Sequence, residues 1–320
     1  MASGPGRAER QGIDLIKAIR MFGDKEDAEA WFESARWPDG VICPICESTN
    51  IHERKGRKPT PYKCRACHKD FSVRTGTLMH GTNLGLDKWA MAIYLVATNI
   101  KGISSMKLHR DLNISQKTAW HLLHRVREMW NSESNPFSGG VEVDETYVGG
   151  KESNKHESKK LRAGRGAVGK TAVVGARERS TGQIVTEVVE STDKATLQGF
   201  VHRQTTPGTI VYTDEARAYI GIQRAHESVK HSVKEFVNGM AHTNGLESHW
   251  ALLKRGFVGI YHQMSRKHLW RYANEFSGRH NQRPLDTMDQ MRLMAWNMDG
   301  KRLKYIDLIG PPHTRLPATL

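Results

Sequence analysis

Three stretches concentrate the residues that could do chemistry: Val141-Glu142-Val143-Asp144-Glu145, Ile210-Val211-Tyr212-Thr213-Asp214-Glu215 and His242-Thr243-Asn244-Gly245-Leu246-Glu247-Ser248-His249-Trp250. The first two are short β-branched runs ending on an acid. Side chains alternate along a strand, so Val141 and Val143 share one face and Glu142 and Asp144 the other. Asp214 closes its run where a strand would stop, and Glu145 and Glu215, one residue on, would point away from the partner carboxylates. Acids at the ends of neighbouring strands converge on one edge of a sheet, where ligands of α/β folds gather. The third acid, Glu247, lies in a stretch with helical apolar spacing through Leu246, Trp250, Leu253 and Phe257. Hard oxygen donors brought together in this way suit Mg²⁺ (or Mn²⁺), and two such ions serve phosphoryl transfer.

On a helix Glu247 and Lys254 lie about 20° apart on one stripe, and Asn244 and Glu247 about 60° apart. An ionised carboxylate holds a hard cation better than an amide does, so Glu247 is the first choice for the third ligand and Asn244 the second. Lys254 then faces a phosphate or the charge that develops on it, with Arg255 beside it as a further DNA contact. His242 and His249 read as DNA or packing contacts, and Trp250 as core.

The chain's four cysteines fall in two knuckles, Cys43-Pro44-Ile45-Cys46 and Cys64-Arg65-Ala66-Cys67. Paired CxxC turns aim four thiolates at one ion, so the reading is a ribbon built on one structural Zn²⁺. Such a ribbon is too small for its own core, and the metal holds its fold. Its loop (His52, Arg54, Lys55, Arg57, Lys58) and its rim (Lys63, Arg65, His68, Lys69) are basic, in keeping with DNA backbone contact or a solvated loop.

Between Leu86 and Trp130 the pattern is helical: a helix with Trp89, Ile93 and Tyr94 on one face, a short helix ending at Leu112, a turn at Asn113-Ile114-Ser115, and a longer helix from Gln116 to Met129. Helix, short turn, helix is the order of a helix-turn-helix, whose second helix enters the major groove. Gln116, Lys117, His121, His124 and Arg125 would then reach bases or phosphates. A net charge of +14 over 320 residues points the same way, to double-stranded DNA as the partner. Hydrophobic content is 38%, the longest apolar run (Trp89 to Ala97) is too short to cross a bilayer, and the N-terminus has no signal-peptide core. A cytoplasmic protein without membrane contact is expected, associated with the nucleoid when on DNA.

These segments give the expected organisation: N-terminal helices over 1–36, the Cys₄ ribbon over 37–80, the helix-turn-helix over 84–131, a catalytic domain over 139–284 and a C-terminal helix and tail over 285–320. Residues 1–10 and those from Gly310 on read as loose, and Asn131 to Pro136 as a linker. Inside the catalytic region a basic loop from Gly149 to Lys170 precedes a hairpin around Ser180-Thr181-Gly182, a helix from Asp193 to Arg203, a strand delivering Asp214 and a strand over His226 to Val233. The fold class is α+β multidomain, with a mixed α/β catalytic domain.

The order Asp144, Asp214, Glu247 resembles that of the DDE transposases and integrases. The cysteine module and the run Asn244-Gly245-Leu246-Glu247-Ser248-His249-Trp250-Ala251-Leu252-Leu253-Lys254-Arg255-Gly256 are similar to those of the ISXO-type insertion-sequence transposases. The resemblance covers roughly Trp37 to Arg283. It implies an RNase H-like catalytic domain and two Mg²⁺ ions on Asp144, Asp214 and Glu247. It further implies recognition of terminal inverted repeats, strand cleavage and joining to target DNA without a covalent protein intermediate, and a homodimer or higher oligomer on DNA. The family is variably described with Asn or Glu as third ligand. Two other functions fit the same residues: a catalytically silent DNA-binding relic, and an RNase H-like nuclease or resolvase that cuts without joining.

Overall fold

Short polar side chains start the helices. In this computed structural model, which describes residues 12–54, 56–130, 135–150, 156–161, 167–214, 217–229 and 244–310, Asp14, Asp24, Ser104, Ser115, Asp193 and Asp286 each accept a backbone N–H of the first turn. The chain forms two compact units. One takes the described residues up to Trp130 together with those from Pro284 on; the other takes those between.

The first unit opens with α1 (Leu15–Phe22) and α2 (Lys25–Arg36). The ribbon follows as a three-stranded antiparallel sheet, β1 (Ile51–Glu53), β2 (Tyr62–Cys64) and β3 (Asp70–Phe71). Then come α3 (Leu86–Thr98), α4 (Ser105–Leu112) and α5 (Gln116–Glu128). Asn113, in the left-handed region at φ 49°, ends α4 and turns the chain towards Ser115, the cap of α5. The segment after Pro284 returns to this unit as α9 (Thr287–Trp296) and α10 (Tyr305–Ile309). One hydrophobic core runs through it, joining Phe22 and Phe32, the ribbon's Tyr62 and Phe71, Trp89, and Met291 and Met294. Arg36 ties the pieces together: it is buried and donates to the Val73 carbonyl at 2.8 Å and to Asp299 at 2.6 Å.

The second unit is built on one five-stranded sheet of β4 (Val141–Val148), β5 (Thr171–Glu178), β6 (Ile184–Val189), β7 (Ile210–Asp214) and β8 (Ala225–Val229). Their order is β6-β5-β4-β7-β8. The first three pair antiparallel; β4, β7 and β8 are parallel. One face packs on α6 (Lys194–Gln204), with Val141, Val143, Leu197, Phe200 and Tyr219 in that core. The other packs on α7 (Asn244–Gly256) and α8 (Leu269–Asn281), with Val173, Leu246, Trp250 and Phe276.

Two expectations change. Asp144 lies in the middle of a strand, because Thr146, Tyr147 and Val148 carry on pairing with residues 171–173 of β5. The C-terminal segment adds α10, whose Leu308 is buried in the first unit's core. The expected strand over His226 to Val233 is described as far as Val229. Residues 1–10, Lys55, Ser132, Lys151, Lys155, Arg162, Arg165, Glu215, His242 and the tail from Pro311 lie outside the described residues.

Candidate active site

Alternation along β4 decides where its acids go. Val141 and Val143 fill the α6 core, so Glu142 and Asp144 turn to the face covered by α7. β7 runs parallel to β4 with Val141 beside Val211 and Glu142 beside Tyr212, a register that puts Asp214 next to Asp144 on the same face. Asp144 is partly buried, and its Oδ2 accepts the indole N–H of Trp250 at 3.0 Å. Burial, then the Asp214 carboxylate and more weakly that of Glu247, push the Asp144 carboxyl up to about 6 against the hydrogen bonds from Glu145 and Trp250. The structure therefore makes Asp214 and Glu247 electrostatic neighbours of Asp144. Asn244, Glu247, Lys254 and Arg255 are exposed along α7, while His249 and Trp250 are buried beneath it.

Glu145 points to the opposite face, where the Tyr219 hydroxyl donates to it at 2.9 Å. It still feels the site: burial raises its carboxyl to about 7, with Asp214 and Asp144 adding to the shift against the Tyr219 bond. Glu142 is fully buried and accepts from Arg177 and Arg179, each at 3.2 Å. Arg179 also lies over the Tyr212 ring at 3.6 Å. This pairing keeps Glu142 structural although it shares a face with Asp144. His249 packs against the rings of Trp250 and His280, and burial holds its imidazole neutral down to about 3.

Two glycines let α7 lie this close. A β-carbon on Gly175 would stand 2.7 Å from Trp250 Cζ2, and one on Gly245 would stand 2.6 Å from Arg177 Nη1. Neither the Trp250–Asp144 bond nor the Tyr219–Glu145 bond was legible from periodicity. A glycine inside a β-branched strand, which often marks close approach of another group, was the available signal for the first.

The donor set of Asp144, Asp214 and Glu247 suits a hard divalent cation, since like charges crowd a partly buried carboxylate and a cation would relieve them. Among the described residues, the four cysteines form a set of candidate metal ligands whose donor atoms all lie within 4.8 Å of one another.

The cysteine set is close to a finished metal centre. Cys43 and Cys67 Sγ are 3.7 Å apart, and Cys46 and Cys64 Sγ 3.6 Å. A tetrahedron with Zn–S near 2.3 Å needs sulfurs about 3.8 Å apart. The two knuckles repeat one backbone design. The first cysteine's N–H bonds the carbonyl five positions on (Cys43 to Ser48, Cys64 to Lys69), and the residue after the second cysteine takes positive φ (Glu47 at 58°, His68 at 59°). The N–H groups of Cys67 and Ala66 hold the Cys64 thiol down to about 6, favouring the thiolate that zinc needs. Of the ribbon's basic residues, Arg54 and Arg57 reach Asp70 at 2.8 and 3.4 Å, and Lys58 reaches Glu26.

On α5, Gln116 and Lys117 are exposed at the N-terminal end. His121 and Arg125 instead bond the Leu303 carbonyl at 3.2 and 3.0 Å, and Lys117 lies over the Tyr305 ring. His124 is fully buried against Trp120. A cavity of about 620 Å³ opens beside this face, lined among others by Ser115, Lys117, His121, Arg125 and Tyr305.

Residues 136–281 match the family model of the ISXO2-like transposase domain, and residues 23–70 that of the transposase zinc-ribbon domain. The chain thus carries a segment similar to the ISXO2-like transposase domain, preceded by one similar to a transposase zinc ribbon. A similar protein, described as an uncharacterized protein in transposable element ISH50 of Halobacterium salinarum, is 28% identical over 272 residues, covering 81% of this chain and 91% of that protein. The second unit is thus a DDE transposase domain, of a class of DNA-cleaving enzymes, and the Cys₄ centre belongs to a transposase zinc ribbon suited to one structural Zn²⁺. Among the described residues no helix is long and apolar enough to cross a membrane.

Proposed function

We propose that this protein is the transposase of an insertion sequence, acting in the cytoplasm as a dimer or larger assembly on DNA. It recognises the element's terminal repeats, cuts at them in a metal-dependent reaction and transfers the freed strand to target DNA. The observation that carries this reading is the environment of Asp144: a half-buried carboxylate in mid-sheet, with Asp214 and Glu247 as its like-charged neighbours. Within a transposase domain, that clustering has a purpose only if cations sit among the acids. The sheet order, three antiparallel strands followed by two parallel ones, supports an RNase H-like fold for the unit.

Asp144, Asp214 and Glu247 would hold two Mg²⁺ ions, with Asn244, one turn before Glu247 on α7, as the alternative third ligand. Bound there, the metal supplies Lewis-acid activation of water or a 3′-hydroxyl and stabilises the leaving oxygen. The protein's own part is placement. β4 and β7 set two carboxylates side by side, and α7 presents the third group along with Lys254 and Arg255. These exposed cations are free to meet the phosphates on either side of the scissile bond.

End recognition falls to the first unit. Ser115 caps α5 after the Asn113 turn in the manner of a helix-turn-helix, and Gln116 and Lys117 stand at the exposed start of the second helix. His121 and Arg125, bonded to Leu303, hold that helix against the C-terminal segment, and Arg125 contributes to DNA through charge more than through base edges.

The test is an end-joining assay: labelled DNA bearing the sequence that flanks the gene, target plasmid, Mg²⁺ and full-length protein, against Asp214→Ala. Labelled end joined to plasmid by wild type alone supports the reading. Cut ends without joining mean a nuclease, and binding without cutting a DNA-binding relic.

A further inference from the structure

We infer that Trp250 is a positioning residue of the acid site: its indole N–H fixes the Asp144 carboxylate and ties the helix carrying Glu247 to the strand carrying Asp144. The inference rests on the proposed role of Asp144 as a metal ligand, and concerns how that ligand is held.

The indole is buried at 3% exposure and donates to Asp144 Oδ2 at 3.0 Å. The ring can reach that oxygen because of Gly175, the register partner of Asp144 on β5, whose absent β-carbon would otherwise stand 2.7 and 2.8 Å from ring carbons Cζ2 and Cη2. A carboxylate held at one oxygen by a rigid, buried donor has its plane set and its other oxygen, Oδ1, left for a cation. An N–H donating to an ionised carboxylate is also among the stronger hydrogen bonds. Glu247 and Trp250 are three residues apart, so one turn of α7 presents an exposed acid and a buried anchor about 60° apart. Asp144 and Glu247 are thereby coupled through one side chain, and the acids approach as a unit when metal binds.

The bond should respond to metal at Asp144. The chain has eight tryptophans, so full-length, zinc-loaded protein labelled with 5-fluorotryptophan gives eight fluorine signals, and the one missing from Trp250→Phe belongs to Trp250. Titration with Mn²⁺, followed in parallel by calorimetry, should broaden that signal before the others, and Asp214→Ala should abolish the effect. Trp250→Phe should need about tenfold more Mg²⁺ for half-maximal strand joining, the equivalent of one charge-assisted hydrogen bond, while the rate at saturating metal changes by a few-fold at most. Gly175→Ala, which keeps the indole but displaces it, should raise the metal requirement in the same direction, and stands in if Trp250→Phe does not fold. Mn²⁺ binding that is sensitive to Asp214→Ala but leaves the Trp250 signal unchanged overturns this inference and leaves the proposed function standing. No Mn²⁺ binding to the wild type overturns both.

Discussion

Gly175 faces Asp144 across the β4–β5 ladder, and the indole of Trp250 occupies the space its missing side chain leaves. A methyl at Gly175 meets a rigid ring packed in a core. Gly175→Ala should therefore cost about 1–3 kcal/mol in overpacking, read by denaturant unfolding. Gly245→Ala meets the Arg177 side chain instead, which can swing, and should cost less; its effect should include loss of the Arg177–Glu142 pair. Equal costs at the two glycines would contradict this packing.

Metal binding should depend steeply on pH. The carboxyls of Asp144 and Glu145 sit at about 6 and about 7 in the fold, above the ordinary range near 4. Raised folded values mean that their contribution to stability is complete below pH 4 and is lost as pH rises through 6 to 7. A cation at Asp144 must displace its proton, so Mg²⁺ should raise the melting temperature clearly at pH 8 and hardly at pH 5. Glu145→Gln should flatten the metal-free profile around pH 7. A larger Mg²⁺ effect at pH 5 than at pH 8 would rule out Asp144 as a binding group.

Zinc should be part of the first unit's stability. Cys43 and Cys64 are fully buried and belong to its hydrophobic core, alongside Tyr62 and Phe71. Chelation, or Cys64→Ser, should unfold the ribbon and lower the stability of the α1–α5 core by several kcal/mol. One zinc per chain is the expected metal analysis, and an unchanged melting curve after complete zinc removal is the opposing result.

On α5 the polar side chains should divide by role. Lys117 is exposed, so Lys117→Ala should weaken DNA binding for all sequences and reduce the salt dependence by about one phosphate contact. His121→Ala removes a bond to Leu303 and should lower stability by about 1 kcal/mol with a smaller effect on affinity. Binding isotherms at several salt concentrations, beside unfolding curves, separate the two. A salt slope unchanged by Lys117→Ala would remove that side chain from the interface.

What could be read from the chain alone followed from local physics. Ser115 and Asp193 marked helix starts because a short acceptor before an amphipathic run has one good use. The cysteine knuckles carried their metal in their spacing. The alternation of Val141 to Asp144 assigned faces correctly, yet the end of β4 was placed too early, since the partner that extends it, β5, is 23 residues and more away in sequence for the pairs up to Val148↔Thr171. Trp250 at Asp144, Tyr219 at Glu145 and Leu303 at Arg125 are contacts between distant segments, and no single-segment pattern encodes them.

The central claim is that Asp214 is a ligand to a metal that does chemistry on DNA, and Asp214→Cys tests it most directly. A thiolate holds Mg²⁺ poorly and Mn²⁺ better. In the end-joining assay the variant should fail with Mg²⁺ and recover part of the wild-type activity with Mn²⁺, while binding element ends normally. Full activity with Mg²⁺ would contradict the account, because the carboxylate would then have no part in holding the ion.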